Sequence, residues 1–387
     1  MKAISPRVSV VLLFALFLAG CGSSSTPPCT GANCPCTGAN CPPVSGSDFL
    51  FESNVNGITA AQVDAVAGTV LASLPGASGP ASPAGIFLTS TNFLFVGDFV
   101  NNVVYAYGVN NTTGALTAVS GSPFSLPGLI QIQGLAGIAG DPAGKFLYVA
   151  NANNNVVAAF TINSSGQLAN ITGSPFGTGS FPVQVAVDPS GKFLYVSNFE
   201  DATGSISAYT IDPSTGALTQ VPGSPYATLV NGGPAGLAVA PNGKFLYIAM
   251  AGTTGTGNQI VAQNINSTTG ALSPVIGSPF ATGNNPQSVT IDPAGKFLFS
   301  TNANDNTVSV FTLDSNAGGL TAVGSPVSTG PFPFAAVVNS TTGLLFVDCG
   351  MSTSISAFTI NTSGALTSIA PVNGGGTSGG LAIVAHP

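Results

Sequence analysis

A tetrapeptide of the form Phe-Leu-Tyr/Phe-Val, or a near variant, begins at Phe49, Phe93, Phe146, Phe193, Phe245, Phe297 and Leu344, seven copies spaced 44 to 53 residues apart. A period of roughly 40–50 residues, built from short apolar runs and Gly/Pro turns, is what the blades of a β-propeller produce. One four-stranded blade cannot cover both of its faces, so only a closed ring of neighbours buries the apolar residues. The repeat therefore outweighs the length of 387 residues, which alone would allow two or three domains of about 150 residues each. Abundant turns that need φ > 0 or a fixed φ account for the 50 glycines and 29 prolines.

The clearest copy runs from Pro182 to Tyr226. Val183 to Val187 reads as a first strand, and Asp188-Pro189-Ser190-Gly191-Lys192 as a turn. Phe193 to Val196 is the second strand and Ser205 to Ile211 the third. Asp212 to Gly216 then turns the chain into a fourth, Ala217 to Val221, before Gly223-Ser224-Pro225-Tyr226 leads inward to the next blade. First strands recur near Ala84, Gly137, Gln184, Gly236, Ser288, Ala335 and Ala382. The repeats begin at a second strand, Phe49 to Phe51, and finish on a lone first strand, Gly380 to Ala385. The expected fold is thus an all-β, seven-bladed propeller with four-stranded antiparallel blades, closed by the C-terminal strand joining the first blade.

Lys2 and Arg7 precede an apolar run from Val8 to Leu18, so residues 1–20 read as an export signal. It ends in Leu18-Ala19-Gly20-Cys21, which resembles the lipobox of bacterial lipoproteins and implies lipidation of Cys21. The expected location is therefore the bacterial cell envelope, with membrane contact through the lipid anchor only. Residues 21–47 form a Cys/Pro/Gly/Ser-rich tether in which Cys29, Cys34, Cys36 and Cys41 suit disulfides more than metal ligation. Residues 48–387 hold the propeller. Beyond the leader the only basic residues are Lys145, Lys192, Lys244 and Lys296, giving a formal charge of 4 − 13 = −9. Nucleic acid is excluded as a partner, because its affinity comes largely from Lys and Arg neutralising phosphates.

The pattern Pro-x-x-x-Ala-Val-Asp-Pro-x-Gly-Lys-Phe-Leu-Tyr-Val-x-Asn at Pro182–Asn198, with Thr-Gly-Ala-Leu and Gly-Ser-Pro-Phe in other copies, resembles the seven-bladed lactonase-type propellers. These include 6-phosphogluconolactonase relatives and cell-surface proteins with Tyr-Val-Thr-Asn repeats. The resemblance covers residues 48–387 and implies a funnel whose charged residues, arginine and histidine among them, hold an anionic lactone. This chain departs from that pattern. It has no arginine beyond the leader, and its one histidine, His386, aligns with the Asp188 turn on the opposite face.

The polar residues expected at the funnel are Gln184, Gln287 and Ser288, among small neighbours such as Ala84, Gly137, Gly236, Ala335 and Ala382. Second strands end in Asn54, Asp98, Asn151, Asn198 and Asn302, with Glu200, Asp201, Asp305 and Asp348 beside them; these oxygens are weak candidates for a Ca²⁺ site, otherwise turn caps. No other cofactor is expected. Glu52 stands where valine stands in other blades, which makes it, with Asp98, a weak catalytic candidate. Cys349 takes the place of Asn198 and reads as a lone thiol. The missing funnel charges favour a module that binds a protein or polysaccharide. A lactone hydrolase, 6-phosphogluconolactonase-like or metal-assisted, is the alternative, and a structural envelope protein the third reading.

Overall fold

Along Phe193-Leu194-Tyr195-Val196 the side chains alternate between two neighbours. Phe193 and Tyr195 pack with Leu246 and Ile248 of the following blade, whereas Leu194 and Val196 pack with Phe146 and Tyr148 of the preceding one. Burial on both faces is why the strand reads as an uninterrupted apolar run. Seven apolar layers of this kind, one between each pair of neighbouring blades, make up the core. The computed structural model describes residues 47–64, 70–126, 135–200, 204–252, 257–374 and 378–384. The leader with Cys21, the tether cysteines, Asp201 and His386 lie outside the described residues.

Seven antiparallel sheets form the ring, each ordered from an inner first strand outward. The inner strands are Pro83–Leu88, Leu135–Gly140, Pro182–Val187, Gly233–Val239, Pro286–Ile291, Pro333–Val338 and Ser378–Val384. The last of these pairs with Ser47–Asn54 of blade 1, setting Phe49 opposite Val384 and Phe51 opposite Ala382. This is the closure expected from the repeat. The fourth strand differs from expectation in blades 2 to 6. In blade 4 it stops after Leu218–Gln220 and resumes at Tyr226–Ala227, both pieces pairing with the third strand Ser205–Ile211. Between them the Ser224–Pro225 peptide is cis, and Ser224 Oγ accepts the Ala208 amide at 2.8 Å.

The repeat signature also joins one blade to the next. Tyr148 of blade 3 donates its hydroxyl to the carbonyl of Gly216 in blade 4 at 2.9 Å, and Tyr195 and Tyr247 do the same to Gly270 and Gly318. Gly216 has φ +73°, and a Cβ there would overlap the Phe146 ring, so only glycine fits. The Phe of each Phe-Leu motif thus seats against the glycine of the next blade's outer turn. At the other end of the inner strands the Asp-Pro-x-Gly-Lys turns are self-contained. Asp188 Oδ1 accepts the amides of Lys192 and Phe193, each at 2.7 Å, which supports the reading of these residues as turn caps.

Candidate functional site

All seven inner strands lose register with their second strands near one end. In blade 4, Pro182 faces Asn198 but Gln184 faces Ser197; in blade 6, Pro286 faces Asn302 but Ser288 faces Thr301. The same shift occurs in the other five blades. Each is a β-bulge, which bends a strand and re-aims its side chains. The hydroxyl residue before the terminal Asn occupies the gap. Ser197 Oγ accepts the Gln184 amide at 3.1 Å and donates to the Ala235 carbonyl of the next blade at 2.8 Å, while Thr301 Oγ1 accepts the Ser288 amide at 3.0 Å.

The bulged segments surround an axial cavity of about 470 Å³. Its polar groups lie mainly in blades 4 to 6. Gln184 Oε1 accepts the Val185 amide at 3.1 Å, and Gln287 Nε2 donates to Asn285 Oδ1 at 2.9 Å. That leaves the Gln184 amide NH₂, Gln287 Oε1 and Ser288 Oγ uncommitted among the described residues. Gly137 allows Gln184 its position, since a Cβ there would lie 2.7 Å from Gln184 Cα and collide with its amide oxygen. The rest of the wall is Ala84, Gly236, Ala335, Gly380 and Leu381, with Phe99, Phe181, Phe199 and Phe334 toward the opening. No ionisable side chain lines the cavity among the described residues.

Gln184, Gln287 and Ser288 all line this cavity, but Ala382 is not with them. Gly380 and Leu381 reach the cavity instead, and Ala382 packs between blades 1 and 2. Glu52 is 2% exposed and turned toward blade 7, next to Gly374; its Oε2 accepts Thr59 Oγ1 at 2.7 Å and Asn54 Nδ2 at 3.1 Å. Asp98 caps its own loop, accepting the amides of Val100 and Asn101 at 3.0 Å and the Asn101 side chain at 2.8 Å. Neither Glu52 nor Asp98 lines the cavity.

Asn54, Asn151, Asn198 and Asn302 are spread over blades 1, 3, 4 and 6 and serve strand ends and loops, Asn151 also donating to Asn102 of blade 2 at 3.2 Å. Asn54 Oδ1 accepts the Asn56 amide, Asn151 caps the short helix Ala152–Asn154, Asn198 donates to Ser205 and Ser207, and Asn302 donates to Thr307 and Ser309. Among the described residues no three His, Cys, Asp or Glu side chains gather in one place. Burial raises the Cys349 thiol above its usual value, with a hydrogen bond to Ser356 opposing it, and the side chain is 1% exposed.

One feature was not anticipated from the repeat, the presence of four phenylalanines among the lining residues. Asp348, expected only as one of the oxygens near the second-strand ends, faces Ala335 across the bulge of blade 7, the place that Ser197 and Thr301 take in blades 4 and 6. It is 1% exposed. The equivalent residues in blades 1 and 2 are Ser53 and Gly97, so an acid at this position was visible as the exception in its column.

A family model described as "Lactonase, 7-bladed beta-propeller" matches residues 72–231 and 225–335. A 6-phosphogluconolactonase from Formosa agariphila is 36% identical over 86 residues, covering 22% of this chain and 24% of that protein. A candidate 6-phosphogluconolactonase from Bacteroides fragilis superposes with a TM-score of 0.75 at 20% identity, over 88% of this chain and 98% of that one. The periplasmic gluconolactonase of Pseudomonas aeruginosa gives 0.72 at 18% identity, over 89% and 100%. At these identities the structural likeness speaks for the fold alone.

Proposed function

The chain belongs to the lactonase family of seven-bladed β-propellers, and from that premise we propose that it hydrolyses a lactone in the axial cavity. The observation that carries this reading is a cavity of about 470 Å³, sized for a small molecule, on whose wall uncommitted hydrogen-bonding groups converge. The family match favours a hydrolase over the pure binding module suggested by the missing funnel charges.

In lactone hydrolysis, water oxygen bonds to the carbonyl carbon, the ring C–O bond breaks, and the ring oxygen takes a proton. Ser288 Oγ–H and the Gln184 amide are the donors for the developing oxyanion. Asp348 does not line the cavity but faces its wall residue Ala335 across the blade 7 bulge, and is the carboxylate assigned to accept the water proton through a bridging water and return it to the ring oxygen. Asp348 is taken in place of Glu52 and Asp98 because it stands in the column of Ser197 and Thr301, the residues that bond the bulge amides of Gln184 and Ser288.

The test is a pH-stat assay of lactone opening by the full-length protein. Asp348→Asn should lower kcat by about a hundredfold, the scale of lost general acid–base catalysis, with little change in Tm. Full activity in that variant removes Asp348 from the mechanism, and no opening of any lactone by the unmodified protein removes the hydrolase reading. Running the assay with chelator and with added Ca²⁺ tests the metal-assisted form. We propose further that Cys21 anchors the enzyme to the cell envelope; Cys21→Ala should then shift it from the membrane to the soluble fraction.

A further inference from the structure

We infer that the substrate is an uncharged lactone carrying an apolar, preferably aromatic, substituent, and that a phosphorylated sugar lactone is excluded; this rests on the hydrolase reading for the reaction but not for the ligand class. The cavity supplies two kinds of surface and lacks a third. Amide and hydroxyl groups of Gln184, Gln287 and Ser288 suit a neutral ester carbonyl. The lining also includes phenyl rings, of which Phe199 and Phe334 stay 37% and 38% exposed and so offer apolar surface to a ligand.

Cations are what the site does not offer. Lys145, Lys192 and Lys296 follow the Asp-Pro turns at the other ends of the inner strands, where Asp141, Asp188 and Asp292 cap their amides. On the cavity side, Glu52, Asp98 and Asp348 stand on the second strands of blades 1, 2 and 7, directly behind Leu381, Pro83 and Ala335. A phosphate entering would be stripped of water next to carboxylates with no cation to pair with, which is costly.

The aromatic rim is also built, because Phe181 is held in place. It has φ +54°, a conformation bulky residues avoid, and it precedes Pro182. Its amide is held by Asn155 Oδ1 from the preceding blade at 2.8 Å, and its carbonyl accepts the Phe199 amide at 2.9 Å. The backbones that carry two of the four rings are thereby fixed relative to each other. The same φ and the same two hydrogen bonds recur at Phe332 in blade 7, so the repeat itself fixes the backbone at this position.

The experiment compares dihydrocoumarin, glucono-1,5-lactone and 6-phosphoglucono-1,5-lactone in the pH-stat assay of the full-length protein. In parallel, saturation-transfer NMR measures binding of the non-hydrolysable ether chroman and of glucose 6-phosphate. We expect kcat/KM to fall in the order given, and chroman to bind. Phe199→Ala and Phe334→Ala should each weaken dihydrocoumarin turnover and chroman binding by about tenfold, the value of a ring contact, without lowering Tm. Chroman binding that Phe199→Ala weakens, with no lactone opened, keeps the ligand class and removes the hydrolase reading. Preference for either phosphorylated compound overturns the inference, as does failure of both chroman and dihydrocoumarin to engage the protein.

Discussion

Gly216 and Tyr195 illustrate how single residues hold neighbouring blades together. Gly216→Ala must place a side chain at φ +73° and against the Phe146 ring, which should cost about 2–4 kcal/mol in urea unfolding, left-handed strain and overpacking combined. Tyr195→Phe removes only the hydroxyl that reaches the Gly270 carbonyl at 3.0 Å. Phe95, Phe299 and Phe346 fill the same motif position in other blades, so the loss should be near 1 kcal/mol, one net hydrogen bond. A loss above about 3 kcal/mol in that variant would mean that the ring tolerates Phe there only in blades with different neighbours.

At the scale of strands, deleting residues 380–387 should expose the Phe49–Glu52 edge and lower stability by several kcal/mol, since the pairing of Phe49 to Ser53 with Gly380 to Val384 and its apolar packing both go. An unchanged Tm for the truncated protein would contradict closure through this strand. Closure was legible in the sequence because strand order follows from apolar periodicity, and the repeat starts and stops one strand out of phase. The bulges were not legible. Their inserted residues include Ala84, Val183, Gln287 and Phe334, which differ from blade to blade; the one common signal is the proline just before them, Pro83, Pro182, Pro286 and Pro333, which reads in the sequence only as part of the blade pattern. For the same reason Glu52 looked the more unusual acid, although Asp348 is the one that stands in the Ser197 and Thr301 column beside the bulge.

Across the whole molecule the interior holds tyrosines that must remain neutral. Burial pushes Tyr107 and Tyr209 up to about 12, and Tyr148, Tyr195 and Tyr247 higher still. A raised folded-state value contributes stability that is complete below the unfolded value near 10 and is lost as pH rises through the folded one. Calorimetry should therefore show a Tm that is level up to about pH 9 and falls above about pH 10, with tyrosinate absorbance lagging behind that of the unfolded chain. Early, full tyrosinate absorbance in protein that is still folded would refute this. The arrangement of blade 1 also has a consequence in time. Its inner strand, Ser378–Val384, comes after every other strand of the ring in chain order, so blades 2 to 7 can dock one on another while the Phe49 strand waits with one edge unpaired. The ring stays open until its last strand arrives.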